Sequence, residues 1–383
     1  MRALALSALL AVLLVPTLSS IQPSAAPITK APAHKTKHAL KAETFAKGLV
    51  HPWGLAFLPD GRLLVTERPG RLRIVGKDGK LSPPVSGAPK VHASGQGGLL
   101  DVALAPDFAA SRTIYLSFAD PRDGSRTGTS LARARLAGDG EGAALQDVKV
   151  IFRQEPSYAS SNHFGSRIVF ARDGSLFLTM GDRYSARDEA QNPANHLGKL
   201  VRLTAEGAPH PGNPKREGWR PEIWSIGHRN VQAAALHPQT GRLWTIEHGA
   251  RGGDEINIPE AGKNYGWPVI TYGRDYSYAK IGEGTHKAGM EQPVYYWDPS
   301  IAPSGAAFYT GDLFPEWKGN LFVGALAGQA LHRLVLDGEA VVGEERLLGD
   351  LGERIRDVRD GPDGALWLLT DSPDGSVLRV VPR

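Results

Sequence analysis

The chain contains no cysteine among its 383 residues. That excludes a disulfide framework, a thiolate nucleophile and any cysteine-held metal or cluster. Apart from the N-terminus, no segment approaches about 18 consecutive apolar residues, so the body has no membrane-spanning segment. Zinc-ligand spacing is also missing, because His228 and His237 lie nine residues apart and His196 is isolated. No helical 3.6-residue periodicity of useful length appears.

A strong charge of one sign is lacking too. Of the formal +4, one charge is Arg2, and five lysines against Glu43 give +4 in residues 27–47. The body is left at −1, which argues against nucleic acid as its main partner. Residues 1–26 read as an export signal: Met1-Arg2, an apolar run from Ala3 to Val15, Pro16, then the small residues Ser24, Ala25 and Ala26. They predict a periplasmic or secreted protein. The basic, Pro- and Ala-rich residues 27–46 read as a solvated linker.

What the chain does have is glycine, 45 residues or about 12% against a norm of roughly 7%. Many glycines mean many turns, and many turns suggest short strands. One unit recurs six times from about Lys47: an apolar strand, a tight turn, a second apolar strand. Gly54–Thr66 sets it with Pro59-Asp60-Gly61 at the turn. Further copies start at Asp101, Arg167, Ala233, Gly305 and Asp357. Repeats of this kind predict an all-β fold, a six-bladed β-propeller over residues 47–383, with the ligand site at the channel mouth on one face. A pair of two-sheet sandwiches would not need six matching units. Sites in propellers collect residues from several blades, and long insertions mark the functional face. Here the long stretches are 153–166, 181–199, 205–222 and 247–301.

Five constellations could carry chemistry. Asn162-His163 precedes the third copy, and Gly181-Asp182 ends the same hairpin, so Asp182 can approach His163. A carboxylate on one imidazole nitrogen supports general-base work at the other; a structural His–Asp pair is the alternative. His228-Arg229-Asn230 suits an oxyanion or a carboxylated ligand, or a contact between blades. Gly95-Gln96-Gly97-Gly98 offers a close backbone approach beside a neutral hydrogen-bonding group, or a plain tight turn. Glu247 to Asn257 and Asn264 to Trp267 form glycine-broken loops. Their oxygens suit a hard cation such as calcium, though the spacing is not that of an EF-hand. Arg354 and Arg356 alternate onto one strand face, where they could clamp a polyanion or meet solvent.

In this order, over His51 to Thr370, these segments resemble the soluble, pyrroloquinoline quinone (PQQ)-dependent sugar dehydrogenases of the glucose/sorbosone and aldose type. Pro303-Ser304-Gly305 matches as well. The resemblance implies His163 as the base for the sugar hydroxyl, oriented by Asp182, with Arg229 polarising the quinone and Asn230 beside it. It implies that Gln96 and Asn162 meet the substrate, with Gln96 also near the cofactor, and that Arg354 and Arg356 pair with PQQ carboxylates. Calcium would sit on the carbonyls of Gly249 and Ala250, and a structural calcium on Glu255 and the Tyr265 carbonyl. The partners implied are an aldose and an external electron acceptor. One departure stands out: where some members place a lysine against PQQ, this chain has Ala327, with Gln329 nearby. A calcium-dependent lactonase and a non-catalytic binding propeller are the rival expectations.

Overall fold

The computed structural model describes residues 30–383. The expected export signal lies outside the described residues. Six antiparallel sheets account for the strands. The innermost hairpins are Pro52–Phe57 with Leu63–Glu67, Leu99–Leu104 with Thr113–Pro121, and Ile168–Phe170 with Leu176–Thr179. The other three are Val231–Leu236 with Leu243–Glu247, Pro303–Phe308 with Leu321–Ala325, and Ile355–Asp360 with Leu366–Thr370. These are the six repeats read from the sequence. The innermost strand of each blade packs on that of the next, and the sixth on the first, which closes a six-bladed β-propeller.

The turns explain why the repeats fold alike. Leu58 donates to the Arg62 carbonyl, Ala171 to Ser175 and Gly361 to Ala365, at 2.7–2.8 Å. In each, the glycine of the turn (Gly61, Gly174, Gly364) has φ between 78° and 87°, which an L side chain rarely adopts.

The core is a ring of six inter-blade clusters rather than one ball. Leu64 and Leu72 meet Val102 and Ile114 between blades one and two. Tyr115 and Phe152 meet Leu176 and Val201 between two and three. Phe177 meets Ala234 next, then Trp244 meets Phe308. Phe322 meets Val358, and Leu369 meets Val65 to complete the circle. Each buried aliphatic or aromatic side chain there contributes about 1.5–3 kcal/mol.

The expected linker is shorter than its composition suggests. Leu40–Leu49 is a strand paired antiparallel with Gly375–Pro382, from Leu40↔Pro382 to Leu49↔Gly375. It forms the outer strand of the sixth blade. Ala46 and Leu49 are buried, and Phe45 packs edge-on to Trp367 at 4.8 Å. The physical reason is apolar residues set among the lysines, which a count of charges overlooks. Before it, the His34 amide donates to the Glu344 carbonyl at 2.8 Å and the Thr36 amide to Glu345 Oε1 at 2.5 Å, which ties this segment to the fifth blade.

Candidate active site

Hairpin geometry brings His163 and Asp182 together. His163 lies just ahead of Ile168–Phe170, and Asp182 just after Leu176–Thr179. His163 Nδ1 is 2.6 Å from Asp182 Oδ1. The other carboxylate oxygen accepts the Trp267 indole N–H at 2.7 Å, and Oδ1 also accepts the Tyr184 amide at 2.7 Å. An ionised carboxylate only accepts, so Nδ1 carries the proton and Nε2 keeps its lone pair. The backbone is crowded here: a Cβ on Gly181 would stand 2.0 Å from the His163 carbonyl oxygen. Burial pushes the His163 pKa below its ordinary value against the pull of Asp182, and the nearby Arg229 and Arg183 cations lower it further. The imidazole is therefore neutral at pH 7, as a base requires. It faces a cavity of about 360 Å³ that Tyr184, Arg187, Asp188, Arg229, Trp267 and Tyr276 also line.

Arg229 is fixed from three sides. Its amide donates to Glu247 Oε2 at 2.5 Å. Nη1 donates to the His248 carbonyl at 3.1 Å and to the Gly249 carbonyl. The guanidinium lies 5.2 Å from the Trp267 ring centroid. Asn230 Oδ1 accepts the Gly165 amide at 3.1 Å. Arg229 Nε and Asn230 Nδ2 are buried without a partner; such donors are costly unless something meets them. His228, between Ser225 and Glu247 and stacked on Tyr265, is structural.

A second cavity, of about 240 Å³, holds the remaining predicted cations. Trp53, Arg68, Gln96, Gln232, His248, Leu326, Arg354, Arg356 and Asp371 are among the residues that line it. Gln96 Oε1 accepts the His163 amide at 2.9 Å, so the two cavities share a wall. Arg354 and Arg356 converge on Asp371 Oδ2 at 3.2 and 2.9 Å. Asn162 lines neither cavity; its amide donates to Ser160 Oγ at 3.2 Å. Ala327 is exposed and Leu326 faces the cavity in its stead.

The expected calcium residues also gather. Gly249, Glu255, Tyr265 and Glu247 surround a space of about 10 Å³, the size of a single water or ion. Burial and the neighbouring Glu247 push the Glu255 pKa well above the usual carboxylate range. Asn257 Nδ2 bridges these two acids at 3.3 and 3.5 Å, and its Oδ1 is buried without a partner. Ala250 lines the His163 cavity instead.

A sequence profile described as Glucose / Sorbosone dehydrogenase matches residues 49–379. This chain belongs to the glucose/sorbosone dehydrogenase family. It is 49% identical over 349 residues to the aldose sugar dehydrogenase YliI of Escherichia coli, covering 90% of this chain and 93% of that one. A glucose dehydrogenase crystal structure shares 55% identity at a TM-score of 0.86, over 88% of this chain and 99% of that one. The PQQ-bound aldose sugar dehydrogenase of Streptomyces coelicolor shares 31% at a TM-score of 0.76, over 92% and 100%.

Sequence reasoning missed two site residues of this dehydrogenase, Arg68 and Asp371, and gave no role to Arg183, His248 and Trp267, which lie within or beside the segments it singled out. A signal for Asp371 was present. Aligning the copies at the end of the second strand places an acid after each threonine: Thr66-Glu67, Thr179 with Asp182, Thr245 with Glu247, and Thr370-Asp371. Three of these acids bind a site histidine or arginine. The stretch 205–222, expected on the functional face, lines a separate surface cavity of about 410 Å³ around Trp219.

Proposed function

We propose that this family member is an aldose dehydrogenase that oxidises its sugar at the anomeric carbon to the lactone, with PQQ as cofactor and an external electron acceptor. The observation that carries it is a neutral His163, held by Asp182, facing a cavity beside Arg229. A tricarboxylate quinone needs cations and donors, and the residues present fit it. Arg354 and Arg356 share one carboxylate, and Arg229 Nε, Asn230 Nδ2 and Arg356 Nε are buried without partners. PQQ, when bound, supplies a two-electron acceptor for the hydride that leaves the sugar.

The chain's own residues do the rest. His163 Nε2 takes the anomeric hydroxyl proton. Asp182 then stabilises the imidazolium, and Trp267 and the Tyr184 amide keep that carboxylate aligned. Arg229 offers positive charge where the acceptor gains electrons. Gln96, whose oxygen is taken by the His163 amide, keeps its NH₂ for substrate or cofactor, and Asn162 lies next to His163 in the chain. Calcium fits Glu255 with the Tyr265 carbonyl, because a cation would offset the Glu247–Glu255 repulsion. The carbonyls of Gly249 and Ala250 would serve a second ion.

The lactonase alternative asks for a metal on carboxylates at the channel centre. The inner-strand carboxylates Asp101 and Asp357 are instead paired with Arg167 and Arg359. No helix among the described residues is long and apolar enough to cross a membrane. The export signal read in residues 1–26 is what supports an exported protein. The test is to add PQQ and calcium to the purified protein and assay dye reduction over a panel of aldoses. No activity with any sugar, with no PQQ spectral change, overturns the reading.

A further inference from the structure

The second cavity holds more positive charge than its own walls neutralise. Arg68, Arg354 and Arg356 line it, and Asp371 is the one carboxylate among its lining residues. Arg354 and Arg356 both spend themselves on Asp371 Oδ2, and the His51 ring nitrogen lies 3.4 Å from its Oδ1. Arg68 has no carboxylate within ion-pair distance among the described residues. Its Nη1 donates to the Gly95 carbonyl at 2.6 Å, and its Nε is buried with no partner. The other lining groups are neutral: Gln96, Gln232, Trp53, Ala302, Leu326 and His248, whose ring burial holds unprotonated. On the fifth-blade side the wall is Leu326, and the exposed Ala327 and Gln329 bring no cation.

Like charges held this close, with one of three matched, are unfavourable unless a ligand completes the set. Burial lowers the Arg356 pKa, Asp371 pulls it back up, and Arg68 and Arg354 add a smaller lowering. A planar guanidinium with free N–H groups matches a carboxylate in its own plane.

We propose that Arg68, carried at the end of the second strand of the first blade, is a cofactor-binding residue that pairs with a carboxylate of the bound quinone. It makes the third guanidinium of a tricarboxylate site with Arg354 and Arg356. This rests on the PQQ reading above. The ligand class it selects is an aromatic polycarboxylate. Arg68 thereby couples the Gly95–Gly98 turn, which carries Gln96, to cofactor occupancy.

The test is a PQQ titration of the metal-loaded protein by intrinsic fluorescence quenching, with thermal midpoints measured before PQQ is added. Substituting Arg68→Gln removes the charge and keeps a donor; Arg68→Lys keeps the charge and loses the fork. The expected result is a Kd raised roughly 10- to 100-fold for R68Q, a smaller rise for R68K, and a shallower dependence of binding on salt. The cofactor-free midpoint of R68Q is expected to stay level or rise, because a repulsion is relieved. Wild-type affinity for PQQ in R68Q overturns the proposal, as does an R68Q protein that loses cofactor-free stability while binding PQQ as before. That second outcome would make Arg68 a mere tie to Gly95. Should R68Q fail to fold, R68K decides: a raised Kd with the cofactor-free midpoint kept supports the contact, while unchanged affinity, or a midpoint loss with no change in the salt dependence of binding, overturns it. No PQQ binding by the wild type is a separate outcome, which overturns the reading of the whole site.

Discussion

Asp182 and His163 face each other at 2.6 Å across the open end of one hairpin, and Trp267 reaches from the next blade to the carboxylate's second oxygen at 2.7 Å. The base is thus held by a side chain on its own blade and braced by another. Asp182→Asn removes the charge that fixes the tautomer and stabilises the imidazolium. Steady-state assays of the PQQ-loaded enzyme should show kcat down by about 10²- to 10⁴-fold, with PQQ affinity changed little.

The His163 pKa lies below 6.5, so the imidazole stays neutral, and active, below that pH. The acid limb of kcat/KM should therefore fall below pH 6.5. Arg183 is part of the cause: it is a buried cation stacked 3.5 Å over Phe164. Arg183→Met should move the acid limb upward; a limb that stays put or moves down would remove Arg183 from the account.

Acid should also unfold the protein through His248. Its buried ring donates Nε2–H to the Pro303 carbonyl at 2.5 Å, and its pKa is held down to about 3. The unfolded chain takes up a proton near 6.5 while the folded one does not. Stability is full above that value and is lost as pH falls toward about 3, by about 1.4 kcal/mol per pH unit for this one group. Chemical denaturation at stepped pH should show this slope, and His248→Gln should flatten it.

Gly181 admits no side chain. Its Cβ would lie 2.0 Å from the His163 carbonyl oxygen, which is backbone and cannot rotate away. Gly181→Ala should cost about 1–3 kcal/mol of stability and displace His163 enough to depress turnover. Thermal melts and kinetics on the same preparation check both.

Calcium should raise the melting temperature of the wild type, because it would separate Glu247 from Glu255. Glu255→Gln should melt higher than the wild type in chelator and gain nothing from added calcium. A calcium response that survives in E255Q would place the ion elsewhere.

The ring of blades and the His163–Asp182 pair were legible because both are local: a turn repeated six times, and two residues at the ends of one hairpin. Arg354 and Arg356 were legible as alternation along a strand. Trp267, Arg68 and Asp371 were not. Trp267 and Arg68 meet site residues of other blades, Trp267 lying 85 residues from Asp182, whereas Asp371 meets Arg354 and Arg356 across the ends of its own hairpin, where the acid was not looked for. Spacing along a chain does not say which loop folds over which blade. The strand at Leu40–Leu49 was hidden in the same way, since its partner lies more than 320 residues downstream. Its lysines read as solvent-facing charge, while Ala46 and Leu49, which anchor it, are only two residues among them.

That strand makes the sixth blade a clasp. It joins an early segment of the chain to Gly375–Pro382, one of the latest. A ribosome finishes the two halves of this clasp at opposite ends of its task, so the ring can circularise only after residue 382 is made. Until then five blades can stack but the site stays open on its first-blade side, where Arg68 and Trp53 belong. Cutting before Leu40 should leave a closable ring. Cutting after Leu49 should leave an open arc, and adding residues 40–49 back as a separate peptide should restore it.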